Sequence, residues 1–244
     1  MSFPASAPVL SDVRRALAVF AHPDDVDFGC TGTIAGWVDE GIEVGYLIIT
    51  RGDAGGFDDT PRAEMPRLRE AEQRAAAAEV GVRQVDFLDG YADGMLTPTL
   101  ELRRDIAAAI RRFRPDRVLT SSPLRRWELL TGPSHPDHLA VGEATTCAIY
   151  PDSRNPFAFP ELLAEGLEPW VVREVWYAGG PDPDHAVDIT DRYDRKVAAL
   201  RAHRSQTAHL DVPTWIQERL AVVAADAGLP PGRLAEAFTV LRTT

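Results

Sequence analysis

Apolar residues in this chain come in short unbroken runs separated by longer stretches of helical period. The unbroken runs are Leu17 to Ala21 (LAVFA) and Val44 to Thr50 (VGYLIIT). Such runs predict strands buried on both faces of a sheet. Gln84 to Leu88 is expected to be a third strand and Arg117 to Ser121 a fourth. Between them, Thr31 to Glu40, Leu68 to Val80 and Leu100 to Phe113 predict helices, with Gly41 and Gly81 where the first two stop. A further helix is expected from His138 to about Ile149. The alternation βαβαβαβ predicts a mostly parallel, Rossmann-like sheet with helices on both faces, a three-layer α/β sandwich.

The pattern changes after residue 150. Residues 151–169 are proline-rich and aperiodic, and predict an irregular excursion that walls or covers a site. Val171 to Ala178 alternates like a strand, and Ala186 to Ile189 is a shorter one. A helix capped at Thr190 or Asp191 runs to about His203, an amphipathic helix spans Thr214 to Ala227, and Ala235 to Leu241 closes the chain. The expected organisation is one domain over 1–244. It comprises a Pro/Ser/Ala-rich arm (1–15), the Rossmann-like core (16–150) and a C-terminal α+β extension (151–244).

Composition narrows the partners. With 26 Lys+Arg against 37 Asp+Glu the formal charge is −11, which argues against nucleic acid or an anionic membrane. Lys196 is the only lysine. Two cysteines, Cys30 and Cys147, make no disulfide framework and are expected to be reduced. No apolar stretch is long enough for a membrane span, and the first residues lack the basic start and apolar run of a secretory signal. The expectation is a cytoplasmic protein, with a homo-oligomer open.

The chemistry concentrates where strands end. Pro23 stops the first strand, so His22, Asp24 and Asp25 sit at the carboxyl edge of the sheet, where ligands bind in open parallel sheets. His135-Pro136-Asp137-His138 repeats the tripeptide after the fourth strand. Paired in space, His22, Asp25 and His138 make a three-ligand metal site with room for water, and Asp24 is placed to act on that water. Arg51, Asp89 and Ser121 also follow predicted strands and gather on the same edge.

AHPDD after the first strand with HPDH far downstream resembles the metal-dependent N-acetylglucosaminyl deacetylases. Thr50 to Gly55 (TRGDAG), Arg69 and Glu72, Asp89 to Leu96 (DGYADGML), Ala199 to Gln206 (ALRAHRSQ) and Glu236-Ala237-Phe238 continue the similarity. The resemblance implies a zinc enzyme, Fe(II) or Mn(II) being able to substitute, that removes acetyl from a small-molecule amino sugar. It assigns His22, Asp25 and His138 as ligands and Asp24 as general base. It further assigns His135 as oxyanion donor or acid, with Asp137 orienting its ring. By position, Arg51, Asp53, Arg69 and Asp93 would bind substrate. His203 reads as a structural histidine, and His185 and His209 receive no role. Two departures stand out: Val26-Asp27 follow HPDD where many members carry Glu first. Pro133 also stands where the thiol-cofactor deacetylases tend to carry Tyr. An amidase of thiol S-conjugates is the alternative within the family. A Rossmann-type nucleotide-binding protein is the alternative outside it, although no GxGxxG follows the first strand.

Overall fold

A computed structural model describes residues 9–57 and 59–244; the first eight residues of the expected arm lie outside it. Its centre is a seven-stranded sheet in the order β3-β2-β1-β4-β5-β7-β6. The strands are β1 (Arg15–Phe20), β2 (Glu43–Ile48), β3 (Gln84–Phe87), β4 (Arg117–Ser121), β5 (Glu174–Ala178), β6 (His185–Asp188) and β7 (Ala235–Arg242). β1 pairs in parallel with β2 and β4, β2 with β3, and β4 with β5. β7 runs antiparallel between β5 and β6, so the extension completes the sheet of the core. The order reverses at β1, whose two neighbours are β2 and β4. That reversal opens a crevice at their carboxyl ends, and it is why two HPD motifs so far apart in sequence emerge side by side.

Both faces of β1 are buried, as its unbroken apolar run required. Ala16, Ala18 and Phe20 pack with Ile34 and Trp37 of α2 (Thr31–Asp39) and with Ala76 and Ala77 of α3 (Met65–Glu79). Leu17, Val19 and Ala21 face Ile106 and Ile110 of α4 (Leu100–Phe113) and Val141 and Ala144 of α5 (Pro136–Cys147). Each fully buried Leu or Ile contributes about 1.5–3 kcal/mol relative to exposure. A five-residue helix, α1 (Asp25–Gly29), precedes α2 where the sequence offered only a loop. No described helix is long and apolar enough to cross a membrane.

The proline-rich excursion is not a lid. α5 starts at the carboxyl edge and runs back along the sheet, so the segment after it lies at the opposite, amino edge. There the Arg111 guanidinium, itself buried, donates to the carbonyls of Asp152, Ser153, Asn155, Ala158 and Leu167. Trp170 Nε1 donates to Pro115 O, just ahead of β4, and Leu162 of α6 (Pro160–Ala164) enters the core. Proline breaks the periodicity because the chain wraps around one arginine, where no repeating ladder is needed.

Candidate active site

The loop after β1 turns sharply through Asp24, a non-glycine residue at φ 90°, into α1. Opposite it, α5 is pressed onto the end of β4 at Gly142, where an added Cβ would lie 2.4 Å from Ser121 O. This close approach carries the start of α5, and so His135 and His138, to the β1 loop. Gly142→Ala is expected to cost about 1–3 kcal/mol of stability through overpacking and to weaken metal binding by shifting His138. Thermal melts and metal titration check both; unchanged metal affinity would separate α5 placement from the site.

Donor atoms of three residues converge there. His138 Nε2 lies 2.9 Å from Asp25 Oδ1 and 3.3 Å from His22 Nδ1, and Asp25 Oδ2 lies 3.3 Å from the same His22 nitrogen. Two imidazole nitrogens and a carboxylate brought this close are donors that could share one divalent ion. Two imidazoles and one carboxylate suit zinc, Fe(II) and Mn(II) alike. On its other side His22 Nε2 faces Asp93 Oδ1 at 3.0 Å and Asp137 Oδ2 at 3.1 Å. Among the described residues, two groups of side chains meet the distance requirements of a cation site, His22 with His135 and His138, and His22 with Asp93 and Asp137. Asp137 is fully buried, however, and already accepts from the N–H groups of Gly94 and Leu96. Its carboxylate stands behind the His22 imidazole and fixes that ring's tautomer. Burial alone would push the His22 imidazole down, but Asp25, Asp137 and Asp93 push it up to about 12. The electrostatics at this point favour positive charge, whether a proton or a metal ion.

Asp24 lies beside this set. Its carboxylate meets Arg69 Nη2 at 3.0 Å, and its backbone N–H donates to Gln73 Oε1 at 2.8 Å. Burial raises the carboxyl to about 6 against the pull of Arg69, near the range suited to a general base. His135 and its neighbour require a correction. The carboxylate of Asp137 does not sit behind His135; it faces His22. What reaches His135 is the backbone N–H of Asp137, which donates to Nδ1 at 3.2 Å. An imidazole that accepts at Nδ1 carries its proton on Nε2. Burial, then the charges of His22 and His138, lower its pKa, consistent with a neutral ring.

The four residues expected to hold substrate make hydrogen bonds and ion pairs within the protein, although the buried Arg69 Nε has no partner among the described residues. Arg51 donates to Leu88 O and pairs with Asp89 and Glu70. Asp53 accepts from Asp93 N–H and pairs with Arg62, while Asp93 accepts from Ala54 N–H. Arg69 is buried and donates to Pro23 O and Gly52 O as well as Asp24. These residues clasp the loops after β2 and β3 and brace Asp24 and His22. Buried charges need such partners, and sequence position cannot distinguish that need from ligand recognition.

Residues 17–149 match the GlcNAc-PI de-N-acetylase (PIG-L) family. The chain belongs to this family. Diacetylchitobiose deacetylase of Thermococcus kodakarensis is 35% identical, the match covering 80% of this chain and 71% of that one. A probable N-acetyl-alpha-D-glucosaminyl L-malate deacetylase 2 of Bacillus cereus is 29% identical over 80% and 84% of the two chains. The solved N,N'-diacetylchitobiose deacetylase from Pyrococcus horikoshii superposes with a TM-score of 0.84 at 29% identity, covering 94% of this chain and 84% of that one.

Within this family member, His203, expected to be structural, joins residues given no role by the sequence in a layer behind the site. Asp27 is fully buried and receives Thr31 Oγ1, Gln73 Nε2 and His203 Nε2 at 3.0, 2.8 and 2.8 Å. Lys196 donates to the Asp27 and Phe28 carbonyls at the end of α1 and to Glu236. Glu236 in turn accepts from Gly32 and Thr33 at the start of α2. The one lysine of the chain, on the helix Tyr193–Ala202, thus ties the α1–α2 corner to Glu236 of β7. Burial lowers His203, yet the Asp27 bond and charge outweigh it and raise its pKa above the ordinary 6.5. A raised folded-state value gives stabilisation that is complete below about pH 6.5 and is lost as pH rises through that value. The Tm gap between wild type and His203→Gln should therefore be widest in mildly acidic buffer and narrow in alkali; a gap that widens with pH contradicts the assignment.

Proposed function

We propose that the protein is a metal-dependent hydrolase that removes the acetyl group from an N-acetylated amino sugar, releasing acetate and a free amine. The observation that carries this reading is the convergence of His22, Asp25 and His138 donor atoms with Asp24 alongside and His135 opposite, in a chain of the GlcNAc-PI de-N-acetylase family. Relatives named for diacetylchitobiose and for N-acetylglucosaminyl malate support an N-acetylglucosaminide as substrate.

His22, Asp25 and His138 would hold the ion, most simply zinc. When bound, it lowers the pKa of water to about 7 and polarises the acetamide carbonyl. Asp24 takes the proton of the attacking water as the new C–O bond forms, and delivers it to the amide nitrogen as the C–N bond breaks. Arg69 keeps the Asp24 carboxylate aimed, its Nη2 shared between Asp24 and Pro23 O and its Nη1 anchored on Gly52 O. His135, neutral with its proton on Nε2, donates to the oxyanion of the tetrahedral intermediate. Its Nδ1 is held by the Asp137 N–H, which makes it a hydrogen-bond donor in preference to a protonated acid.

The test is a panel of N-acetylglucosaminides differing in the group attached to the sugar, with free-amine release as the readout. Release from at least one member, absent with thiol S-conjugates, is expected. Cleavage of S-conjugates alone would replace this reading with the amidase one.

A further inference from the structure

Asp24 is an L-residue held at φ 90°, a strained region that persists only where the surroundings impose it. Two side chains of α3 impose it. Arg69 Nη2 grips Pro23 O at 2.6 Å and Asp24 Oδ2 at 3.0 Å, while Gln73 Oε1 accepts the Asp24 N–H at 2.8 Å. Gln73 is fully buried, and its amide has a fixed sense. Its NH2 points to Asp27 Oδ2, an acceptor, at 2.8 Å, so its oxygen must point to the Asp24 N–H. The same Asp27 oxygen receives His203 Nε2 at 2.8 Å. His203 Nδ1 is buried without a partner among the described residues. An orphaned polar atom carries a desolvation cost, and the one hydrogen bond of the ring among the described residues is that to Asp27.

The Ala199 to Gln206 segment gains a purpose in this arrangement. Ser205 N–H and Oγ bind the Glu72 carboxylate at 2.8 and 2.6 Å, locking the turn that carries His203 onto the α3 face bearing Arg69, Glu72 and Gln73. We propose that Gln73, oriented by Asp27 and His203, is a positioning residue that holds the left-handed backbone of Asp24 and so aims its carboxylate at the reacting water. The proposal rests on the hydrolytic reading. It assigns to His203 and Gln73 an effect on turnover that passes through Asp24 alone, since none of the donor atoms of the cation site bonds to either residue.

Kinetics and metal content of Gln73→Met, His203→Leu, His203→Gln and the double variant Gln73→Met/His203→Leu test it. Gln73→Met keeps the side chain's length and removes both amide bonds; kcat is expected to fall about 10–100-fold with KM and metal content within about twofold of wild type. His203→Leu should behave alike, and His203→Gln, whose amide can still donate to Asp27, should recover most of the loss. The double variant should cost no more than Gln73→Met, because the two act as one chain. Wild-type kcat in Gln73→Met, a loss that appears in KM or metal content, or additive losses would overturn the proposal. Should Gln73→Met not fold, the contrast between His203→Leu and His203→Gln decides by the same split. Failure of the wild type to deacetylate any panel member would count against the hydrolytic reading alone. The crystal structure of Gln73→Met then decides the positioning role. Relaxation of Asp24 out of the left-handed region supports it, and retention of φ near 90° overturns it.

Discussion

Asp24→Asn is expected to lower kcat by roughly 10²–10⁴ while leaving metal content level. The change is nearly isosteric, and Asn tolerates left-handed backbone as well as Asp does, so the turn into α1 should survive. Its side-chain oxygen can still accept from Arg69, and its N–H can still reach Gln73. What it loses is the ability to take a proton from water. Loss of metal and activity together would make Asp24 a ligand, and near-normal turnover would remove it from the chemistry. His135→Ala should also retain metal but lose about 10²–10³ in kcat, the usual cost of one oxyanion donor.

The second large effect concerns the metal itself. His22→Ala, Asp25→Ala and His138→Ala are each expected to weaken binding by more than about 100-fold, because each removes one of three protein donors. Asp137→Asn and Asp93→Asn should fall short of that, at about 10–100-fold, since both act through the far nitrogen of His22. Metal analysis after dialysis against a chelator series separates the two grades. Full occupancy in all three alanine variants would move the ion elsewhere. A deeper loss in Asp93→Asn and Asp137→Asn than in Asp25→Ala would point to the Nε2 side of His22 instead.

Much of the fold was legible because its signals are local. Strands β1 and β2 are apolar runs buried on both faces, and the strand-helix alternation permits few topologies. The direction of β7 was not, because eight residues of alternating character read the same either way along a sheet. The excursion after α5 misled for a related reason: loss of periodicity signals irregular backbone and says nothing of which edge it occupies. At the site, the two HPD motifs were readable since imidazole and carboxylate at strand ends have few other uses. The roles of Arg69, Asp93 and Asp137 were not, because whether a charged group meets substrate or another buried charge depends on long-range packing. One signal was present and unused. Arg69, Glu72, Gln73 and Ala76 follow i, i+3, i+4, i+7 spacing, so the buried stripe of α3 is polar. A helix that turns a polar face toward the core must be supporting a polar site there.

The central claim is that bound metal and Asp24 together hydrolyse the acetamide of an amino sugar. Acetate release from N,N'-diacetylchitobiose and related N-acetylglucosaminides, measured on chelator-stripped protein before and after stoichiometric zinc, tests it most directly. Stripped protein should be inactive, zinc should restore acetate release in wild type, and zinc-loaded Asp24→Asn should remain at background. Equal release with and without metal, or full restoration in Asp24→Asn, would contradict the account.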